Sequence, residues 1–129
     1  MPIGTAPHKG ILTSNTQIFG GFYSSIPYMT NGTKRTALDK SRMQLLQQLM
    51  AAKLNCAAFG CSASITTLIS GADSAYFTGP ASLIITYSNL LDAYNNVGDN
   101  STTSFLAAQG SATPLTSQAL ADKVFWNAP

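Results

Sequence analysis

From Thr36 to Gly60 the chain reads TALDKSRMQLLQQLMAAKLNCAAFG, with no proline and no glycine before Gly60 itself, a pattern that predicts one long helix. Thr36 has the short hydroxyl side chain that caps a helix N-terminus. Asp39, three residues on, completes a variant of the capping box and sits favourably in the helix dipole. Gly60 provides the residue just past the C-terminal end. At about 100° per residue, Leu45, Leu46, Leu49, Met50, Ala52, Leu54, Cys56, Ala57 and Phe59 fill a broad apolar arc, and Gln44, Gln47, Gln48 and Asn55 occupy the remainder. Arg42 and Lys53 fall inside that arc, flanking Leu46 and Leu49. Long cations so placed snorkel past the core edge, pair with a carboxylate from another helix, Asp73 and Asp92 being the candidates for buried ion pairs, or hold an anionic ligand between them.

Two further helices follow at close range. Ser64 is the expected N-cap of a helix over about 65–77, with Ile65, Leu68, Ile69, Ala72 and Tyr76 at helical spacing and Thr78-Gly79 as its end. Pro80 suits a first helical turn. Behind it Leu83, Ile84, Tyr87, Leu90, Leu91 and Tyr94 form the clearest amphipathic pattern in the chain, ending before Gly98. Helices joined by two to five residues are antiparallel neighbours, because so short a connection cannot return the chain to the far end of a helix. From Gly98 to Thr113 the sequence GDNSTTSFLAAQGSAT reads as a long loop with a short apolar patch at Phe105-Leu106. Thr113 as N-cap and Pro114 at the first position open a last helix to about Phe125, with Leu115, Ala119, Leu120, Val124 and Phe125 as its apolar positions. The only tryptophan, Trp126, either docks on its own core or forms an adhesive patch for a neighbouring subunit.

Residues 1–35 differ in kind. Pro2, Pro7, Pro27, Gly4, Gly10, Gly20, Gly21 and Gly32 are spaced so that the segment holds no more than about one short helix or strand. Yet Ile11, Leu12, Ile18, Phe19, Phe22, Tyr23, Ile26, Tyr28 and Met29 make it too apolar for a disordered tail. The expected fold is therefore mainly α: a small antiparallel bundle of about four helices over 36–129, with a long irregular, aromatic-containing arm over 1–35 wrapped on its own core or a neighbour's. The 129 residues suffice for a single domain.

Charge narrows the partners. Only 9% of residues are charged, against roughly 25% in an average soluble domain, and all five acids are Asp. The net charge of +2 is scattered over Lys9, Lys34, Arg35, Lys40, Arg42, Lys53 and Lys123, without the concentrated basic face that nucleic acid requires. No apolar run approaches the roughly 18 to 20 residues of a membrane span. The opening MPIGTAPHKG has no apolar secretion-signal core, which fits a chain without one, a mature chain or an excised piece.

Reactive constellations are sparse. Cys56 and Cys61 bracket a helix end where the chain reverses, and their Cα atoms can come within the ~4.4 to 6.8 Å of a disulfide; free thiols are the alternative. The sole His8 lies in the Pro/Gly arm with nothing to position it as a base. Asp73 with Asp92 is the one acid pair that adjacent helices bring near each other. The 92–99 stretch lacks the spacing and the bidentate Glu of a calcium loop. No cofactor, metal or catalytic residue is expected. Asn31-Gly32-Thr33 and Asn100-Ser101-Thr102 are candidate glycosylation sequons in predicted loops, and the Ser/Thr-rich 101–117 stretch is a candidate for O-linked sugar.

RMQLLQQLMAAKLNCAAFG, preceded by TQIFGGFYSS and followed by LISGADSAY, LLDAYNN and GSATPLTSQALADKVFW, resembles a helical module of secreted and surface-exposed bacterial proteins, over about residues 14–126. Where that module often carries Tyr-Trp in its first aromatic segment, this chain has Phe22-Tyr23. The resemblance implies no catalytic residue; it implies a location outside the cell or on its surface and a scaffold role. Two function classes are thus expected. The first is a structural, non-catalytic subunit of an extracellular assembly that acts by self-association, to which low charge repulsion is suited. The second is an adhesion module binding carbohydrate or a surface through Phe19, Phe22, Tyr23, Tyr28 or Trp126.

Overall fold

The structure, a computed structural model, describes residues 1–4, 8–96 and 118–129. Among these residues it contains α1 (Asn15–Tyr23), α2 (Ala37–Phe59), α3 (Ala63–Thr78), α4 (Ala81–Asn96) and a 3-10 turn, Val124–Asn127. The chain is a small, mainly helical bundle, as its apolar periodicity predicts. α2, α3 and α4 alternate in direction, so that α4 runs alongside α2 in the same sense. Gln48 of α2 accordingly donates to Asp92 at 3.1 Å, and Asn55 donates to Asn95, one turn further on, at 3.2 Å.

Local chemistry sets the helix ends. The Thr36 hydroxyl accepts the Asp39 N–H at 3.1 Å, and Gly60 leaves α2 at φ 73° while its N–H donates to the Cys56 carbonyl at 2.8 Å. The return half of the capping box is not made: the Asp39 carboxylate takes Arg42 at 3.0 Å. α3 begins earlier than its periodicity predicts, because Ser62 and not Ser64 is the cap, its hydroxyl accepting the Ile65 N–H at 3.4 Å. Pro80 precedes α4 instead of opening its first turn, its carbonyl accepting from Leu83 and Ile84 at 3.0 and 3.1 Å.

The core gathers around the first two-thirds of α2, where Met43, Leu45, Leu46, Leu49, Met50 and Ala52 are all buried. Ala72, Ala75 and Tyr76 of α3 and Ile84 and Leu91 of α4 close it from one side. The last turns of α2 leave this core, so the apolar arc read from the sequence runs too far: Leu54 and Phe59 are each 40% exposed.

The arm packs on its own bundle. Ile3 and Leu12 are core residues, held by a two-stranded contact in which the Leu12 N–H donates to Met1 and the Ile3 N–H to Gly10 at 2.8 and 3.2 Å. α1 lies within the arm, capped by Ser14, and includes Gly20 and Gly21, where the glycine pattern predicts a break. Both are buried at close approaches: a Cβ at Gly20 would run into the Asp122 main chain, and one at Gly21 would meet Met50 of α2. They are glycine because the helix has no room there for a side chain.

The expected last helix to Phe125 is not continuous. Helical backbone stops at Ala119 and turns at Leu120, and the Asp122 N–H donates to Thr16 at 2.8 Å, drawing the chain along α1 before the 3-10 turn. Trp126 is fully buried, with its indole N–H donating to the Gln17 carbonyl at 2.7 Å, so it docks on its own core and presents no ring to a neighbour. The Gly98–Thr113 loop, Thr113, Pro114 and Leu115, the Ser/Thr-rich 101–117 stretch and the Asn100 sequon lie outside the described residues.

Candidate functional site

Most of the polar residues that stand out in the sequence hold the fold. Arg42 is buried, donating through Nε to the Tyr76 carbonyl at 2.9 Å and through Nη1 to Asp39 at 3.0 Å. Its partner comes from its own helix and not from another, because Asp39 lies one turn away on the same face. Lys53 does cross between helices, to Asp73 of α3 at 2.7 Å, and it also donates to the Pro2 carbonyl. With the Gly4 N–H facing the same carboxylate at 3.4 Å, this pair fastens the arm to α2 and α3. Arg42 and Lys53 are each paired with a carboxylate of their own. Asp92 accepts from Gln48 and Asn96, both at 3.1 Å, and pairs with no cation among the described residues. Asp73 and Asp92 serve different contacts and do not converge on a shared proton.

Cys56 and Cys61 form a disulfide, with Cα atoms 5.0 Å apart, that joins the end of α2 to the cap of α3. His8 is held by the C-terminus: Nδ1 lies 3.1 Å from the Pro129 oxygen, and the ring meets Phe77 edge-on at 5.8 Å. Among the described residues no three His, Cys, Asp or Glu side chains converge as metal ligands.

The arm's aromatics divide by burial. Phe19, Phe22 and Tyr23 are half-buried, Phe22 against the core, while Tyr28 is 44% exposed. A short hairpin presents Tyr28. It pairs Tyr28 with Lys34 across a turn in which the Met29 N–H donates to Thr33 at 2.8 Å and Gly32 takes φ +83°. The Asn31 sequon is at the exposed tip, its Oδ1 accepting the Thr33 N–H at 3.0 Å. The hairpin's flank is tied to the C-terminal turn, where Thr30 N–H donates to Asn127 at 2.9 Å.

Between the hairpin, the C-terminal end of α1 and the last residues of the chain is a cleft of about 430 Å³, lined by Tyr23, Ser25, Tyr28, Met29, Arg35 and Lys123 among others. Arg35 forms its inner wall. It is only 8% exposed and donates through Nε to the Ser25 carbonyl at 3.2 Å and through Nη1 to the Trp126 carbonyl at 2.5 Å. Burial lowers its pKa from the ordinary value, and the charge of Asp39 and the Tyr76 hydroxyl act against that shift. The sequence carries no signal for this role: Arg35 sits beside Lys34 at the end of a polar turn, and only the folded chain shows that one of the two is buried.

A second surface lies on α4. The packing face of that helix is Ile84, Tyr87, Leu91 and Tyr94, whereas Leu83, Ile85 and Leu90, at 41, 42 and 48% exposure, point away from the core. Leu83, Thr86, Leu90 and Ala93 share one outer stripe at i, i+3, i+7 and i+10, all exposed. The Thr86 hydroxyl turns back to the Ser82 carbonyl at 2.9 Å, as do Thr66, Thr67, Ser74 and Thr78 of α3 to their own helix. Hydroxyls spent in this way leave methyl and methylene groups outermost, so a Ser/Thr-rich surface becomes less polar than its composition suggests.

Comparison of the chain with protein-family models, with curated proteins and with solved structures returned no match. Among the described residues no helix is long and apolar enough to cross a membrane.

Proposed function

We propose that the protein is a structural, non-catalytic module of an extracellular bacterial surface assembly, acting by self-association through the outer face of α4. The carrying observation is the exposed apolar pair Leu83 and Leu90, two turns apart on one outer stripe of a helix whose only charged residue is Asp92. A face with almost no charge is compatible with its own copy, since a two-fold contact sets each residue against the same patch on its partner. The apolar area offered is small, so the contact is weak and acts where local concentration is high, as in an array. The Cys56–Cys61 disulfide supports an oxidising, extracytoplasmic setting.

Sedimentation velocity over a concentration series tests this reading. Reversible association at millimolar protein, lost in a Leu83→Lys/Leu90→Lys variant, is the expected result. A wild-type chain that stays strictly monomeric throughout sinks the proposal.

The adhesion reading is narrowed. Phe22 and Trp126 are turned to the core and Phe19 and Tyr23 are half-buried, which leaves Tyr28 as the most exposed of these rings.

A further inference from the structure

We infer that the cleft between Tyr28 and Arg35 is a binding site for an acidic saccharide, with Arg35 and Lys123 receiving the carboxylate of a uronic acid residue and Tyr28 stacking on its ring. The site draws no residue from α4, and the inference stands whether or not the chain self-associates.

Four observations carry it. The cleft is lined by two cations and, among its described lining residues, by no carboxylate. Neither cation has an ion pair among the described residues, since both salt bridges there belong to Arg42 and Lys53. Arg35 is fixed before any ligand arrives: two of its N–H arms are held by the Ser25 and Trp126 carbonyls, and its remaining donors have no acceptor among the described residues. A guanidinium so oriented presents a planar fork, which suits a flat carboxylate better than a point charge would.

The rest of the lining suits a sugar. Tyr28 is an exposed ring at the rim, and Ser25, Thr30 and the Tyr28 hydroxyl offer short polar groups to ring hydroxyls. The volume of about 430 Å³ falls within the roughly 300–1,000 Å³ typical of small-ligand clefts. A polyphosphate suits the site less, because the neighbouring end of α1 is its C-terminus, whose dipole repels concentrated negative charge.

The test uses the intact chain, titrated at low salt with a uronate trisaccharide, with its methyl ester and with inorganic phosphate, followed by calorimetry or amide NMR shifts. The acid should bind and the ester should bind at least tenfold more weakly. Tyr28→Ala should weaken binding about tenfold, as expected for loss of a stacking ring, and Lys123→Ala about threefold with a shallower salt dependence. Both side chains lie outside the core, so both variants should fold, which circular dichroism verifies. No binding of the acid at millimolar concentration, equal binding of acid and ester, or an unchanged Tyr28→Ala variant would each overturn the inference. Phosphate binding as tightly as the trisaccharide would also overturn it, reducing the site to a simple anion pocket.

Discussion

Arg35 donates from Nη1 to the main-chain carbonyl of Trp126 at 2.5 Å, joining the residue before the cap of α2 to the far end of the chain. The bond is buried, and the indole above it is fully enclosed. Trp126→Ala should therefore cost about 3–5 kcal/mol as a large core truncation. Arg35→Ala should cost about 1–3 kcal/mol by leaving the Ser25 and Trp126 carbonyls without their donor. Urea unfolding followed by circular dichroism measures both, and an Arg35→Ala midpoint equal to wild type would show that the tie contributes nothing.

Tyr76 links burial to pH. Its side chain is fully buried and its hydroxyl has no hydrogen-bond partner among the described residues. Burial pushes its pKa well above the ordinary tyrosine value; Arg42 pulls it down, and Asp39 adds to the rise. The folded state thus keeps the neutral phenol, while the unfolded chain ionises near pH 10. Below that pH both states hold the proton and the contribution is fully present. Above it the unfolded state alone loses the proton, and stability falls by up to about 1.4 kcal/mol per pH unit. Tyr76→Phe should flatten this alkaline loss and, by deleting an unpartnered buried hydroxyl, raise stability at neutral pH by about 1 kcal/mol. Unfolding midpoints at pH 8 and pH 11 decide it; a Phe variant that loses stability at pH 8 would mean that the hydroxyl is bonded after all.

Gly20 and Gly21 are adjacent in sequence and differ in what they face. A Cβ at Gly20 meets the Asp122 backbone, whereas one at Gly21 meets the flexible end of Met50. Backbone cannot give way as a methionine can. Gly20→Ala should cost about 2–3 kcal/mol and Gly21→Ala about 1 kcal/mol or less. Thermal unfolding of the two variants checks the order, and equal losses would contradict the packing of α1 on the C-terminal segment.

Legibility followed the range of the interaction. The Thr36 cap, the Gly60 terminus and the Cys56–Cys61 pair depend on residues within a turn of one another, and their geometry is written in spacing alone. Ser62 and Ser64 illustrate the limit, because both are competent caps by residue type and spacing, and the folded chain uses Ser62, whose hydroxyl accepts the Ile65 N–H. The glycines of α1 are ambiguous in the sequence for a different reason. A glycine that breaks a helix and one that allows a helix to approach a neighbour look alike until the neighbour is known.

For the candidate site the sequence supplied Tyr23 and Tyr28 as candidate aromatics but not Arg35, whose partners Ser25 and Trp126 are 10 and 91 residues away. The apolar stripe of α4 was legible as amphipathicity, but its division into Ile84 and Leu91 within and Leu83 and Leu90 without was not. The arc is wider than the face that α2 and α3 cover.

By itself, the sequence determined the helices of the bundle, two of the caps and the low charge of the surface, because periodicity, hydroxyl caps and composition act locally. Tertiary structure decided which cations pair, which aromatics stay outside and that the arm folds back on its own core. Those outcomes depend on which segments meet, and burial makes each meeting favourable only where a partner for every polar group arrives with it.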